Sequence, residues 1–87
     1  MTADNIPLGQ RSTEWLLCDY VNAVETKTVA DGDAICQTLY NRGYSMESYV
    51  SMLYDIVKDE DNHFKLEIIG LFSVNYMAVA RQRNGYL

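Results

Sequence analysis

The chain has two cysteines among its 87 residues, Cys18 and Cys36, and no CxxC pair. That is too few for the disulfide lattice of a small secreted domain, and the spacing does not suit a zinc or dithiol redox motif. Two reduced, buried thiols are expected. Proline occurs once, at Pro7, followed by Gly9, which marks residues 1–10 as a flexible or locally extended arm ahead of a single domain over residues 11–87. The N-terminus is polar and acidic rather than basic then apolar, so it does not resemble a signal peptide, and no Asn-x-Ser/Thr sequence occurs. These absences favour a cytoplasmic setting, in a cell or an infected host.

Groups that hold metals or do catalysis are equally sparse. His63 is the single histidine, so zinc would have to gather Cys18, Cys36 and a carboxylate from remote segments, and a Cys-His nucleophile pair would likewise need tertiary folding. Residues 59–70 begin with alternating carboxylates, as a calcium loop does. They place Phe64 where the turn glycine belongs and Gly70 where the chelating glutamate belongs. Asp31 and Asp33, like Asp59 and Asp61, stand two apart and diverge on a helix, which suits solvated caps better than a paired-carboxylate site. The expectation is no cofactor, no metal and no enzymatic activity.

Long apolar runs are limited to residues 68–80, thirteen positions without a charge. Crossing the hydrocarbon core takes about 20, so no membrane span is expected. Seven Lys and Arg against twelve Asp and Glu give a net charge of -5, which opposes non-specific attraction to phosphate backbones. The charge is uneven. Eleven acids and four bases precede residue 62, for a net -7, whereas one acid and three bases follow, for a net +2. An acidic front and a mildly basic tail can pair within the fold or between subunits.

What remains is helical patterning. Ser12 or Thr13 can cap a first helix to about residue 25, where Trp15, Leu16, Leu17, Tyr20, Val21 and Val24 form an apolar face with Trp15 as the largest anchor. Thr28 and Asp31 have capping-box spacing for a second helix over residues 29–41, and Gly43 can supply the positive φ that closes it. Ser45 can cap a third over residues 46–57, whose apolar positions recur every three or four residues. The last, residues 62–83, would be about 33 Å long at 1.5 Å per residue. It begins after the carboxylates Asp59, Glu60 and Asp61 and ends at Arg81 and Arg83, the polarity its dipole favours, with Gly85 placed to cap it. Phe64, Ile68, Ile69, Leu71, Phe72, Tyr76 and Val79 make it apolar over more than a narrow stripe. The fold class is therefore all-α, a compact four-helix array with a long C-terminal helix.

Residues 35–52 resemble a helix-turn-helix, with Leu39 under the first helix, the turn at residues 41–45, and Tyr49 and Met52 on the second. That resemblance implies DNA reading by the exposed face of the second helix, through Ser48 and Ser51. No Lys or Arg lies between Arg42 and Lys58 to draw phosphates there. Scattered acids also permit mimicry of a nucleic acid. Seven tyrosines are more distinctive, because tyrosine joins contact area to a hydroxyl that tolerates partial exposure. Tyr40, Tyr44, Tyr54 and Tyr86, with Glu47 and Asp55, are the expected partner-binding residues, and Tyr20, Tyr49 and Tyr76 the buried ones. The functional expectation is a small non-enzymatic protein-protein interaction module, an adaptor or an inhibitor of a larger complex, capable of forming a homodimer. The alternatives are a helix-turn-helix regulator and an acidic nucleic-acid mimic.

Overall fold

A computed structural model describes residues 6–84, and four helices account for most of them: α1 (Thr13–Thr26), α2 (Val29–Asn41), α3 (Met46–Ile56) and α4 (Asn62–Arg83). The starts of α1, α3 and α4 are set by local chemistry. Ser12 Oγ accepts the Trp15 amide at 3.0 Å, Ser45 Oγ the Ser48 amide at 3.1 Å and Asp61 Oδ1 the Phe64 amide at 2.8 Å. Each thereby satisfies one of the amides that a helix start leaves without a partner. Gly43 takes φ +84° after α2, as expected of a closing glycine. Lys27 closes α1 in the left-handed region at φ 62°, its amide reaching the Ala23 and Val24 carbonyls.

Two local expectations are corrected. The capping box at α2 does not form: Thr28 precedes the helix without a side-chain cap, and its hydroxyl pairs with that of Thr26 at 2.6 Å instead. The third helix ends at Ile56, with Val57 as its C-cap. The Gly85 cap lies outside the described residues.

The helices pack in a ring. α1 lies against α2 and α3, α4 lies against the same two, and the diagonal pairs α1–α4 and α2–α3 make at most marginal backbone contact. Side chains fill the centre: Leu16, Leu17 and Tyr20 from α1, Ile35, Cys36 and Leu39 from α2, Tyr49 and Leu53 from α3, and Ile68, Phe72, Tyr76 and Val79 from α4. The Phe72 ring is the hub, 5.3 Å from Tyr20, 6.4 Å from Tyr49 and 5.7 Å from Tyr76. Edge-on and tilted arrangements of this kind add to the gain from burial. Tyr49, fully buried, donates its hydroxyl to the Leu39 carbonyl at 2.7 Å, so its polar end is satisfied inside the core.

Trp15 is half-buried rather than the principal anchor, with the Arg11 guanidinium 4.9 Å above its ring. Cys18 is exposed, against the expectation of two buried thiols, while Cys36 is buried. The reason is periodic: two residues past Leu16, Cys18 lies about half a turn from the buried side of α1.

Of residues 1–10, the first five lie outside the described residues. Leu8–Gln10 form one 3-10 turn, and Leu8 packs against the core. Arg42, at the end of α2, donates to the Gly9 carbonyl at 3.2 Å, to Thr13 Oγ1 at 3.0 Å and to the Arg11 carbonyl. Arg11 in turn donates to the Ile6 carbonyl at 2.9 Å and pairs with Asp19 at 2.6 Å.

Candidate interaction surface

α4 is apolar around most of its circumference, and the ring buries one side of it. At 3.6 residues per turn, Ile68, Phe72 and Val79 share the inner side, whereas Leu66, Gly70, Val74 and Met77 fall opposite. Leu66 is 73% exposed and Val74 68%, with Met77 also exposed. Scattered single apolar side chains are ordinary on a protein surface, but here Leu66, Val74 and Met77 share one side of one helix.

Grooves flank this ridge on both sides. Toward α2, an open groove of about 350 Å³ is lined by Leu71 of α4 with Val24, Ala23 and Val29, which is itself 81% exposed. Asn75 stands in its wall, its amide 3.5 Å from the Tyr20 hydroxyl. Toward α3, a wider groove of about 730 Å³ runs between Ser73 and the Met46, Val50, Met52 and Tyr54 side chains.

That second groove gathers several residues singled out from sequence: Glu47, Tyr54 and Asp55 line it, and Ser51 does too. Tyr54 is exposed, with Lys65 Nζ 5.4 Å from its ring centre. Ser48 is exposed on α3, its hydroxyl 3.0 Å from that of Ser45. Tyr44 is exposed and meets the buried Tyr49 edge-on at 6.1 Å, away from the groove. Tyr40 is half-buried, its ring tilted against Tyr76 at 5.8 Å and under the Arg83 guanidinium at 5.7 Å. Tyr86 lies outside the described residues. Tyr20, Tyr49 and Tyr76 are buried, as their spacing predicts.

Sequence reasoning did not single out Leu66, Val74 and Met77. The uncharged run 68–80 signalled a surplus of apolar surface, but in a helix apolar on several sides, periodicity does not say which side is left uncovered.

The titratable groups with displaced pKa values belong to the core and its edge. Burial pushes the Cys36 thiol up to about 12, with Asp33 adding to the effect, and burial likewise raises the Tyr20, Tyr49 and Tyr76 hydroxyls. Cys18 is raised by partial desolvation and by the nearby Glu14 and Asp19 carboxylates, which disfavour a thiolate. His63 is exposed in the first turn of α4, and among the described residues no three His, Cys, Asp or Glu side chains gather to hold a metal. No helix among the described residues is long and apolar enough to cross a membrane. Comparisons with protein-family models, curated proteins and solved structures found no match.

Proposed function

We propose that the protein is a small non-enzymatic protein-protein interaction module, an adaptor or inhibitor acting in the cytoplasm, and that the outer side of α4 with its two grooves is the binding face. One observation carries the reading: large apolar side chains, led by Leu66 and Val74, stay in water along a helix whose inner side already fills the core. Leaving such groups exposed forgoes about 25 cal/mol for every Å² that burial would remove from water. A partner that covers them recovers that free energy. Tyr54, with Glu47 and Asp55 around it, supplies the amphipathic and charged rim that interfaces favour.

Reading of nucleic acid by Ser48 and Ser51 is less favoured, because Glu47 and Asp55 share their helix and repel phosphates. The test is affinity capture from native extract by the full chain, beside Leu66→Glu and Val74→Glu variants. The expected result is a protein retained in stoichiometric amount by the wild type, a second copy included, and lost from both variants. A wild-type chain that stays monomeric and retains nothing overturns the proposal.

A further inference from the structure

We infer that a second copy of this chain covers the outer ridge of α4, the two α4 helices lying antiparallel about a two-fold axis. The inference rests on the reading of that ridge as a protein-binding face and names its occupant.

Charge selects both the occupant and its direction. Asp59, Glu60 and Asp61 bound α4 at its start, Arg81 and Arg83 at its end, and residues 68–80 between them carry no charge. Antiparallel pairing brings the acidic end of each copy beside the arginine end of the other and sets the helix dipoles in opposition. Parallel pairing would set carboxylates against carboxylates and arginines against arginines. Within the subunit, Arg83 donates to Asn41 Oδ1 at 2.7 Å and lies over the Tyr40 ring at 5.7 Å. Arg81 is exposed, with no ion pair among the described residues, and falls on the same side of α4 as Gly70, Val74 and Met77.

The ridge also matches itself. An axis at the level of Phe72 sets Gly70 of one copy opposite Val74 of the other and brings Leu66 of one copy to the level of Ala78 of the other. Self-complementarity of this kind is what an isologous interface requires. Gly70 gains a reason in this arrangement. A Cβ added there would meet nothing within 4 Å, so packing inside the subunit does not require glycine, which is a poor residue for the middle of a helix. Against a second helix, its missing side chain leaves a notch for Val74 and lets the backbones approach.

Area sets the extent of the contact. A helix-on-helix strip about 33 Å long and roughly 10 Å wide covers about 330 Å² per copy, less than half of the about 800 Å² that a stable interface buries on each partner. The flanks must therefore join it, Tyr54 and Met52 on the α3 side and Val29 and Leu71 on the α2 side. A two-fold of this orientation lays like flank beside like flank, so the two Tyr54 side chains come onto the same side of the paired helices.

Sedimentation equilibrium of the full chain over a range of concentrations tests the inference. The wild type is expected to approach twice its 10.0 kDa mass. Gly70→Leu, which has open space within the subunit, and Arg81→Glu, an exposed change, are each expected to keep the helical content and weaken the dimer roughly tenfold or more. Direction is read by disulfide cross-linking in a Cys18→Ser background: Leu66→Cys and Ala78→Cys chains should cross-link with each other when mixed and with themselves poorly. A mass of one chain at every concentration, a dimer indifferent to both Gly70→Leu and Arg81→Glu, or efficient self-cross-linking of Leu66→Cys overturns it. A monomer that still captures another protein through Leu66 and Val74 defeats this inference and leaves the interaction reading standing.

Discussion

The same substitution at two helical glycines should move stability in opposite directions. Gly70 lies in the middle of α4 with nothing within 4 Å of an added Cβ. Gly70→Ala therefore changes the subunit chiefly through helix propensity, which favours alanine by about 0.8–1.0 kcal/mol. For a domain of this size that corresponds to a rise of about 4–8 °C in Tm. Gly32 in α2 is buried, and a Cβ there would meet Tyr20 Cε1 at 3.3 Å and Asn75 Nδ2 at 3.5 Å. Tyr20 has little room to retreat, because it is 2% exposed and its ring is held edge-on to Phe72 at 5.3 Å. Crowding a packed core costs about 1–3 kcal/mol, which offsets or exceeds the propensity gain. Gly32→Ala is thus expected to lower stability by about 0–2 kcal/mol. Urea denaturation followed by far-UV circular dichroism measures both, at protein concentrations low enough to exclude self-association. Equal stabilisation by the two variants would refute the close approach of α2 to Tyr20 and Asn75 and with it the packing of this corner.

Phe72→Ala removes the hub of the aromatic cluster and should cost about 3–5 kcal/mol, a large share of the roughly 4–13 kcal/mol available to 87 residues; a thermal melt that still shows a sharp transition near the wild-type Tm would contradict the packing. Tyr49→Phe deletes the donor to the Leu39 carbonyl and should cost about 1 kcal/mol, read as a shift in the urea midpoint without a change in slope. Arg42→Ala releases the contacts to Gly9, Thr13 and Arg11, so amide exchange should accelerate over residues 8–13 while the α4 core amides keep their protection. Stability should also fall at alkaline pH. The folded chain holds the Cys36 proton to about 12 and keeps the buried tyrosine protons above their usual range, whereas the unfolded chain releases its thiol proton near 9. The contribution is complete below pH 9 and declines as pH rises from there toward 12. A urea midpoint that stays level through that window, or a decline that Cys36→Ala does not lessen at its onset, counts against the burial of this thiol.

The sequence by itself determined the four helical spans and most of their ends, because those depend on interactions three or four residues apart. Ser12, Ser45 and Asp61 cap where their spacing places them, Gly43 closes α2, and α4 runs from residue 62 to residue 83 as read from the pattern. The Thr28 exception also has a local cause: its hydroxyl finds Thr26 and the Ala23 carbonyl in the preceding turn and is drawn away from the amides of α2.

Tertiary structure alone decided which surfaces stay wet. Trp15 sits at the edge of the core and Cys18 outside it, because the ring of helices turns Leu16, Leu17 and Tyr20 inward. Glu47, Tyr54 and Asp55 meet in one groove because α3 lies beside α4, a neighbour relation that no local spacing encodes. The same holds for α4 itself. A helix with apolar groups on several sides has more than one orientation that fills a core, and in the folded ring the side bearing Phe72 is the one turned to Tyr20 and Tyr49. That choice leaves Leu66, Val74 and Met77 facing water.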